Sequence, residues 1–227
     1  MTSREFTERV HRCAKRADVH VGGELLGGLE GYYRLLESWN EKINLTALDL
    51  SAESDRAINR LLIEPLVAMR YLPVEAGQII DIGSGGGSPG IPMQLARKDL
   101  SFTLVEAKTR KSAFLREACR RLGVDVSVET CRFETLLSRP DMHEAFAGVT
   151  LRAVRVEPRV LRGLQAFLRP GGRVLLFRGP GAAGLDVGIT PPLFWEGSSA
   201  LVESLQSRLV VLGKMSLGLP AVLPPAG

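Results

Sequence analysis

Asp81-Ile82-Gly83-Ser84-Gly85-Gly86-Gly87-Ser88-Pro89-Gly90 decides the reading of this chain: ten residues that hold five of its 24 glycines, placed directly after the apolar run Ile79-Ile80. A glycine-dense turn between a strand and a helix is where an open α/β sheet binds its ligands, because glycine tolerates positive φ and lets the backbone approach a bound group. Ser88 and Pro89 are expected as the N-cap and first residue of the helix that follows.

Outward from this turn, short apolar runs alternate with amphipathic stretches. Strands are expected over 78–82, 101–106, 124–129, 146–151 and 173–177, and helices over 91–97, 109–122, 133–137 and 157–168. Such alternation implies right-handed crossovers and a mostly parallel sheet with helices on both faces, a doubly wound α/β domain. Upstream, Leu29, Tyr32, Tyr33, Leu36, Trp39 and Ile43 recur at three- and four-residue steps, and a second helical stretch runs over 55–71 before Pro73. Residues 1–76 are therefore expected as a helical N-terminal extension, 77–216 as the sheet domain and 217–227 as a flexible tail. The Gly- and Pro-rich residues 179–192 read as a loop, followed by closing strands over 200–206 and 208–213.

Composition bounds the function. At 227 residues and 45% hydrophobic the chain buries a real core, and its net charge of +4 is compatible with a polyanionic partner without establishing one. Cys13, Cys119 and Cys131 show no CxxC spacing and join no histidine cluster, so neither a disulfide framework nor a metal site is expected. No apolar run reaches the roughly 18 residues of a membrane span, and the first ten residues are charged. The expectation is a cytoplasmic monomer with no membrane partner.

Two cofactor classes compete for the glycine turn. A dinucleotide fingerprint exists as Gly85-x-Gly87-x-x-Gly90, but it sits late in the turn, and the strand-end carboxylate of Asp81 would face a pyrophosphate. The register Asp81-x-Gly83-x-Gly85-x-Gly87 resembles the D-x-G-x-G-x-G motif of class I S-adenosylmethionine methyltransferases, Rossmann-like folds whose acid lies near the cofactor's amino-acid end. Glu106, ending the second strand, is placed to accept from two ribose hydroxyls. The candidate cofactor residues of the turn are Asp81, Gly83, Ser84, Gly85, Gly87 and Ser88, joined by Glu106.

The target atom decides what catalytic groups are needed. Attack through pyrimidine C5 requires a cysteine nucleophile, yet Cys119 falls mid-helix and Cys131 lacks a Pro-Cys pair. Exocyclic amine methylation uses an Asn/Asp-Pro-Pro-aromatic motif after the fourth strand, where this chain has Thr150-Leu151-Arg152-Ala153. A ring nitrogen such as guanine N7 carries a free lone pair and needs positioning more than a base.

Trp39-Asn40-Glu41-Lys42-Ile43-Asn44-Leu45-Thr46, the glycine turn, and the helix from Lys108 to Leu122 resemble the bacterial small-subunit ribosomal RNA guanine-N7 methyltransferases, also called glucose-inhibited division protein B, over roughly residues 29–179. The resemblance implies methyl transfer from S-adenosylmethionine to N7 of a guanine in small-subunit ribosomal RNA, free or in a ribosomal particle. By position it implies that Gly83 and Ser88 line the cofactor, Phe133 and Glu134 border its adenine, and Arg152 serves cofactor and substrate as the catalytic-site residue. Alternatives are a methyltransferase for another RNA site or a small molecule, and a non-catalytic RNA- or nucleotide-binding module. The chain departs from the family's His-x-x-Asp-Ser run with Leu61-Leu62-Ile63-Glu64-Pro65, has Ala147 where an acid is usual, and has Arg178-Gly179 for Lys-Gly.

Between Arg152 and Arg178 seven arginines face one acid, Glu157, an excess larger than the whole chain's net charge. Arg132, Arg155, Arg159 and Arg178 are the candidate RNA contacts, through guanidinium–phosphate pairing.

Overall fold

The computed structural model describes residues 1–51, 54–72, 74–75, 77–153, 156–180 and 188–216. Its centre is a seven-stranded sheet of order β3-β2-β1-β4-β5-β7-β6. The strands are β1 (Gln78–Ile82), β2 (Ser101–Val105), β3 (Val126–Glu129), β4 (Phe146–Arg152), β5 (Leu168–Arg178), β6 (Leu193–Ala200) and β7 (Arg208–Lys214). β1 to β5 pair in parallel, whereas β7 runs antiparallel to both β5 and β6. β1 and β4, buried along nearly their whole length, show why central parallel strands read as unbroken apolar runs.

Helices cover both faces. On one lie α5 (Gly90–Ala96) and α6 (Thr109–Leu122); on the other lie α7 (Phe133–Leu136) and α8 (Pro158–Phe167). The N-terminal helix α2 (Gly23–Ile43) packs on α5 and α6, and α1 (Ser3–Arg16) packs in turn on α2, so one apolar cluster runs from Phe6 through Tyr32 and Phe114 to Val211. α1 starts on a capping box: the Thr2 hydroxyl accepts from the Glu5 N–H at 3.2 Å, and the Glu5 carboxylate accepts from the Thr2 N–H at 2.7 Å.

Several expected elements differ. The stretch over 55–71 is not one helix: α3 (Arg56–Ile58) passes through a π-helical turn (Asn59–Ile63) into α4 (Glu64–Ala68) and a final 3₁₀ turn (Met69–Tyr71). The strand expected over 200–206 lies earlier, as β6, and a 3₁₀ turn (Glu203–Leu205) links it to β7. β6 is a sheet edge with mostly exposed or half-buried residues, which erases the apolar pattern a strand would show. β5 starts five residues before its expected position, with Gly171 at φ 76°. The expected tail over 217–227, and 181–187 of the expected loop, lie outside the described residues. Behind β5, Lys214 is 7% exposed, and its ammonium donates to the carbonyls of Gln165 and Leu168 at 3.0 and 2.7 Å, satisfying the C-terminal end of α8.

Candidate functional site

The carboxyl ends of β1, β2 and β4 meet beneath α2, and the glycine turn fills the corner between them. Gly83 and Ser84 donate backbone N–H bonds to the Val105 carbonyl at 2.9 and 3.0 Å, which pins the turn across the end of β2. The Gly86 carbonyl is held by the Tyr32 hydroxyl at 2.7 Å, so α2 is bonded directly to the turn. Gly85 has φ 53°, and a Cβ there would meet nothing nearer than the Gly83 carbonyl at 3.7 Å. Here glycine serves an open face, and any ligand in the cleft meets bare backbone.

Ser88 does not cap a helix. Its hydroxyl donates to the Leu61 carbonyl at 2.8 Å, the Ser88–Pro89 peptide is cis, and α5 begins at Gly90 with Pro89 and not Ser88 in the cap position. The side chain that was expected to start the helix instead ties the turn to the π-helical segment.

A cleft of about 320 Å³ opens over the turn, lined by Gly83, Ser84, Gly85, Gly86, Ser88 and Glu106 on the sheet side. Leu36, Leu45, Thr46, Ala47 and Leu61 wall it from the N-terminal side, with Lys111, Arg152 and Ala153 completing it. Glu106 accepts from the Gly85 N–H at 3.0 Å with one carboxylate oxygen and from the Lys108 N–H at 2.8 Å with the other, so each oxygen keeps acceptor capacity toward the cleft. Asp81 does not line the cleft. It lies under the turn, 1% exposed, with Oδ1 accepting from the Thr150 hydroxyl at 2.6 Å and Oδ2 without a hydrogen-bond partner. Gly87, at φ 90° against Ile91, shapes the turn from behind.

The wall from Leu45 to Ala47 explains the Trp39 to Thr46 segment. Asn44 ends α2 in the left-handed region at φ 49°, and the Asn40 carboxamide accepts from the Thr46 N–H at 2.8 Å, folding the chain back over the cleft. Trp39 packs edge-on against Phe114 at 5.7 Å, an anchor in the core and not a stacking platform.

Arg152 stands at the end of β4 with its guanidinium 4.4 Å from the Phe177 ring centre. One nitrogen donates to the Arg60 carbonyl and another lies 3.2 Å from Glu64, while its Nε is buried without a hydrogen bond. Burial pushes this guanidinium down to about 10, and the charge of Glu64 resists the shift. Glu64 is 0% exposed and also accepts from Arg60 at 2.9 and 3.0 Å. The departure from the family's Asp therefore keeps an acid, now the shared counter-ion of two arginines. Ala153, next in the chain, sits at φ 56°, which costs a residue with a Cβ about 1 kcal/mol and marks a constrained site wall.

Of the other candidates, Phe133 packs against Gly163 of α8, Glu134 is exposed, and neither lines the cleft. Arg132 is exposed before α7, Arg159 is 79% exposed and paired with Glu157 at 2.9 Å, and Arg178 ends β5 half-buried. Arg155 lies outside the described residues. Sequence reasoning did not single out Leu36, Ala47, Leu61, Lys111 or Ala153 as cleft residues; only the neighbouring motifs signalled them.

The groups present suit S-adenosylmethionine. Glu106 offers a carboxylate with spare acceptor capacity, Gly85 an open backbone, and Asp81 an orphaned buried oxygen beneath the turn. Fold and cleft together define a class I S-adenosylmethionine-dependent methyltransferase.

The model of the GidB family, rRNA small subunit methyltransferase G, matches residues 26–183, and the chain belongs to that family. It is 36% identical over 162 residues to ribosomal RNA small subunit methyltransferase G of Halorhodospira halophila, covering 71% of this chain and 73% of that protein. To the protein of the same name from Acidiphilium cryptum it is 33% identical over 180 residues, covering 79% and 77%. Among solved structures, a putative methyltransferase, yhhF, from Escherichia coli aligns with a TM-score of 0.56 at 13% identity, over 74% of this chain and 92% of that one. TrmN from Thermus thermophilus aligns with a TM-score of 0.52 at 19% identity, over 66% and 49%. These two likenesses speak for the fold. Family membership makes the chain an S-adenosylmethionine-dependent methyltransferase of small-subunit ribosomal RNA.

Asp81 gives the site a pH dependence. Burial pushes its carboxyl up to about 6, and the hydrogen bond from Thr150 and the charge of Arg152 offset only part of that rise. A folded-state value above the unfolded one means the native protein holds the proton longer, so stability falls as pH rises from about 4 to 6 and is flat above. Asp81→Asn is expected to remove this fall, stabilising the ligand-free protein at pH 8 by up to about 3 kcal/mol. A cationic ligand group favours the ionised form, so S-adenosylhomocysteine should bind wild type more tightly at pH 7.5 than at 5.5. Thermal melts and calorimetry at both pH values check this; a wild-type affinity independent of pH would refute it.

Proposed function

We propose that the chain transfers the methyl group to N7 of a guanine in small-subunit ribosomal RNA, in the cytoplasm. What carries this reading is a second cavity, of about 540 Å³, that shares Thr46, Ala47, Leu61, Arg152 and Ala153 with the cofactor cleft. Among the described residues lining the two cavities there is no histidine and no cysteine. Of their carboxylates, Glu106 lines the cofactor cleft and not the second cavity, and Asp49 accepts from the Ser51 N–H and hydroxyl at 3.0 and 2.8 Å. Burial pushes the Cys119 thiol up to about 11 and also raises that of Cys131, so neither supplies a thiolate nucleophile at neutral pH.

Bound S-adenosylmethionine supplies an electrophilic sulfonium methyl. The chain's own part is placement. Arg152 and Ala153 line both cavities, so a base in the outer one would lie beside the inner. Leu36, Leu45 and Leu61 give the cofactor side an apolar wall. A nucleophile that carries no proton asks for nothing more, since rate then comes from orientation. Incubation with methyl-labelled cofactor and unmethylated small-subunit RNA, followed by mapping of the modified base, is the test. Label on guanine N7 is expected; label on a pyrimidine carbon or an exocyclic amine would overturn the reading.

A further inference from the structure

The groove does not end at the second cavity. That cavity shares Leu48, Ser54, Arg56 and Arg60 with a third, of about 810 Å³, which runs out between the end of α1 and the turn joining β6 to β7. Arg16 and Gln206 stand on its outer walls. Asp55, which also lines it, is neutralised by Arg9 at 2.9 Å and Arg12 at 3.0 Å, leaving Glu203 as the other lining carboxylate. Arg16 and Arg56 are exposed, and neither makes an ion pair or side-chain hydrogen bond among the described residues. α8, by contrast, buries Leu161, Leu164 and Phe167 against the opposite face of the sheet, and its Arg159 is paired with Glu157. Of the arginine-rich segment picked out in sequence, Arg152 lines the cavities, while α8 with Arg159 lies on the other face of the sheet from α1 and α2.

We propose that the RNA strand flanking the target nucleotide lies in this groove, between α1, α3 and the β6–β7 turn, with Arg16 and Arg56 pairing with its phosphates. The inference rests on the reading of RNA as substrate. A base seated in the second cavity is out of any helical stack, so the strand is held single, as in enzymes that act on extruded bases. Cationic side chains without carboxylate partners meet backbone phosphates at the least cost in broken ion pairs.

The test compares wild type, the double variant Arg16→Ala/Arg56→Ala, Arg159→Ala, and Arg121→Ala on α6 as a charge-matched control. Binding of fluorescently labelled single-stranded RNA from the small subunit is titrated at several salt concentrations, alongside calorimetry with S-adenosylhomocysteine. On a single strand, each phosphate that no longer pairs with a guanidinium lowers the salt slope by roughly 0.7. The double variant is expected to lose about 1.4 of slope, to bind RNA about tenfold more weakly at moderate salt, and to bind S-adenosylhomocysteine as wild type does. An unchanged slope in the double variant, or a weakening confined to Arg159→Ala, overturns the groove assignment. So does a wild type that binds no RNA. Should wild type bind RNA with the expected slope but transfer no methyl group to guanine N7, the proposed reaction fails while the groove stands.

Discussion

Gly85→Val is expected to weaken S-adenosylhomocysteine binding at least about 100-fold, a loss of about 3 kcal/mol, while the protein stays folded. Two observations make this position selective. Gly85 lines the cleft and its neighbourhood is open, so a side chain there displaces ligand before it displaces protein. Its φ of 53° is costly for a β-branched residue, by about 1–2 kcal/mol, so its N–H aim toward Glu106 also suffers. Gly87 provides the contrast. A Cβ at Gly87 would stand 2.5 Å from the Ile91 side chain and 3.3 Å from Leu115, so Gly87→Val should damage folding itself. Calorimetry paired with thermal melts separates the two variants. Affinity within threefold of wild type for Gly85→Val would mean that the cofactor does not lie against this turn.

Glu64→Ala should cost about 3–5 kcal/mol of stability, because it strands two guanidinium groups in a buried site that holds one anion between them. For a chain of this length that corresponds to a fall in Tm of roughly 6–20 °C. Arg152 is the more exacting partner, since it is 9% exposed and its Nε already lacks a hydrogen bond. Adding Arg152→Met to Glu64→Ala should recover part of the loss, giving a coupling energy of about 1–3 kcal/mol in a double-mutant cycle. Glu64→Asp, which restores the acid of the family's pattern, should fall between wild type and Glu64→Ala. If Glu64→Ala melted within 2 °C of wild type, the pairing described for Arg60, Glu64 and Arg152 would be wrong.

The parallel strands were legible because strands buried on both faces leave continuous apolar runs, as in Ile79-Ile80 and Val149 to Leu151. The glycine turn was legible because its composition has no cheaper use. α1 was passed over: its buried residues Phe6, Val10, Cys13 and Ala14 are spread among charges, although Thr2 and Glu5 carried a capping-box signal. The π-helical break at Asn59 to Ile63 leaves no mark in hydrophobic spacing, since Leu61, Leu62 and Ile63 within it are buried like Ala57 and Ile58 before it and Leu66 and Val67 after it. The partnership of Glu64 with Arg152 joins residues distant in the chain, and in sequence Glu64 stood out only as a departure from a family pattern. The arginine surplus was visible in the sequence while its direction was not, because composition says nothing of which sheet face α8 covers.

The bond from Tyr32 to Gly86 has a meaning for synthesis of the chain. Tyr32 and Leu36 are fully buried with the glycine turn against them, a segment made after α2. At roughly 5–20 residues per second, about 60 residues separate the completion of α2 from that of β2, an interval of roughly 3–12 s. Through those seconds the nascent chain carries Tyr32 and Leu36 without the turn that covers them, while Tyr33 already has Phe6 of α1 beside it. Translation speed between Asn44 and Val105 therefore sets how long this pair of side chains stays open to aggregation and to chaperones.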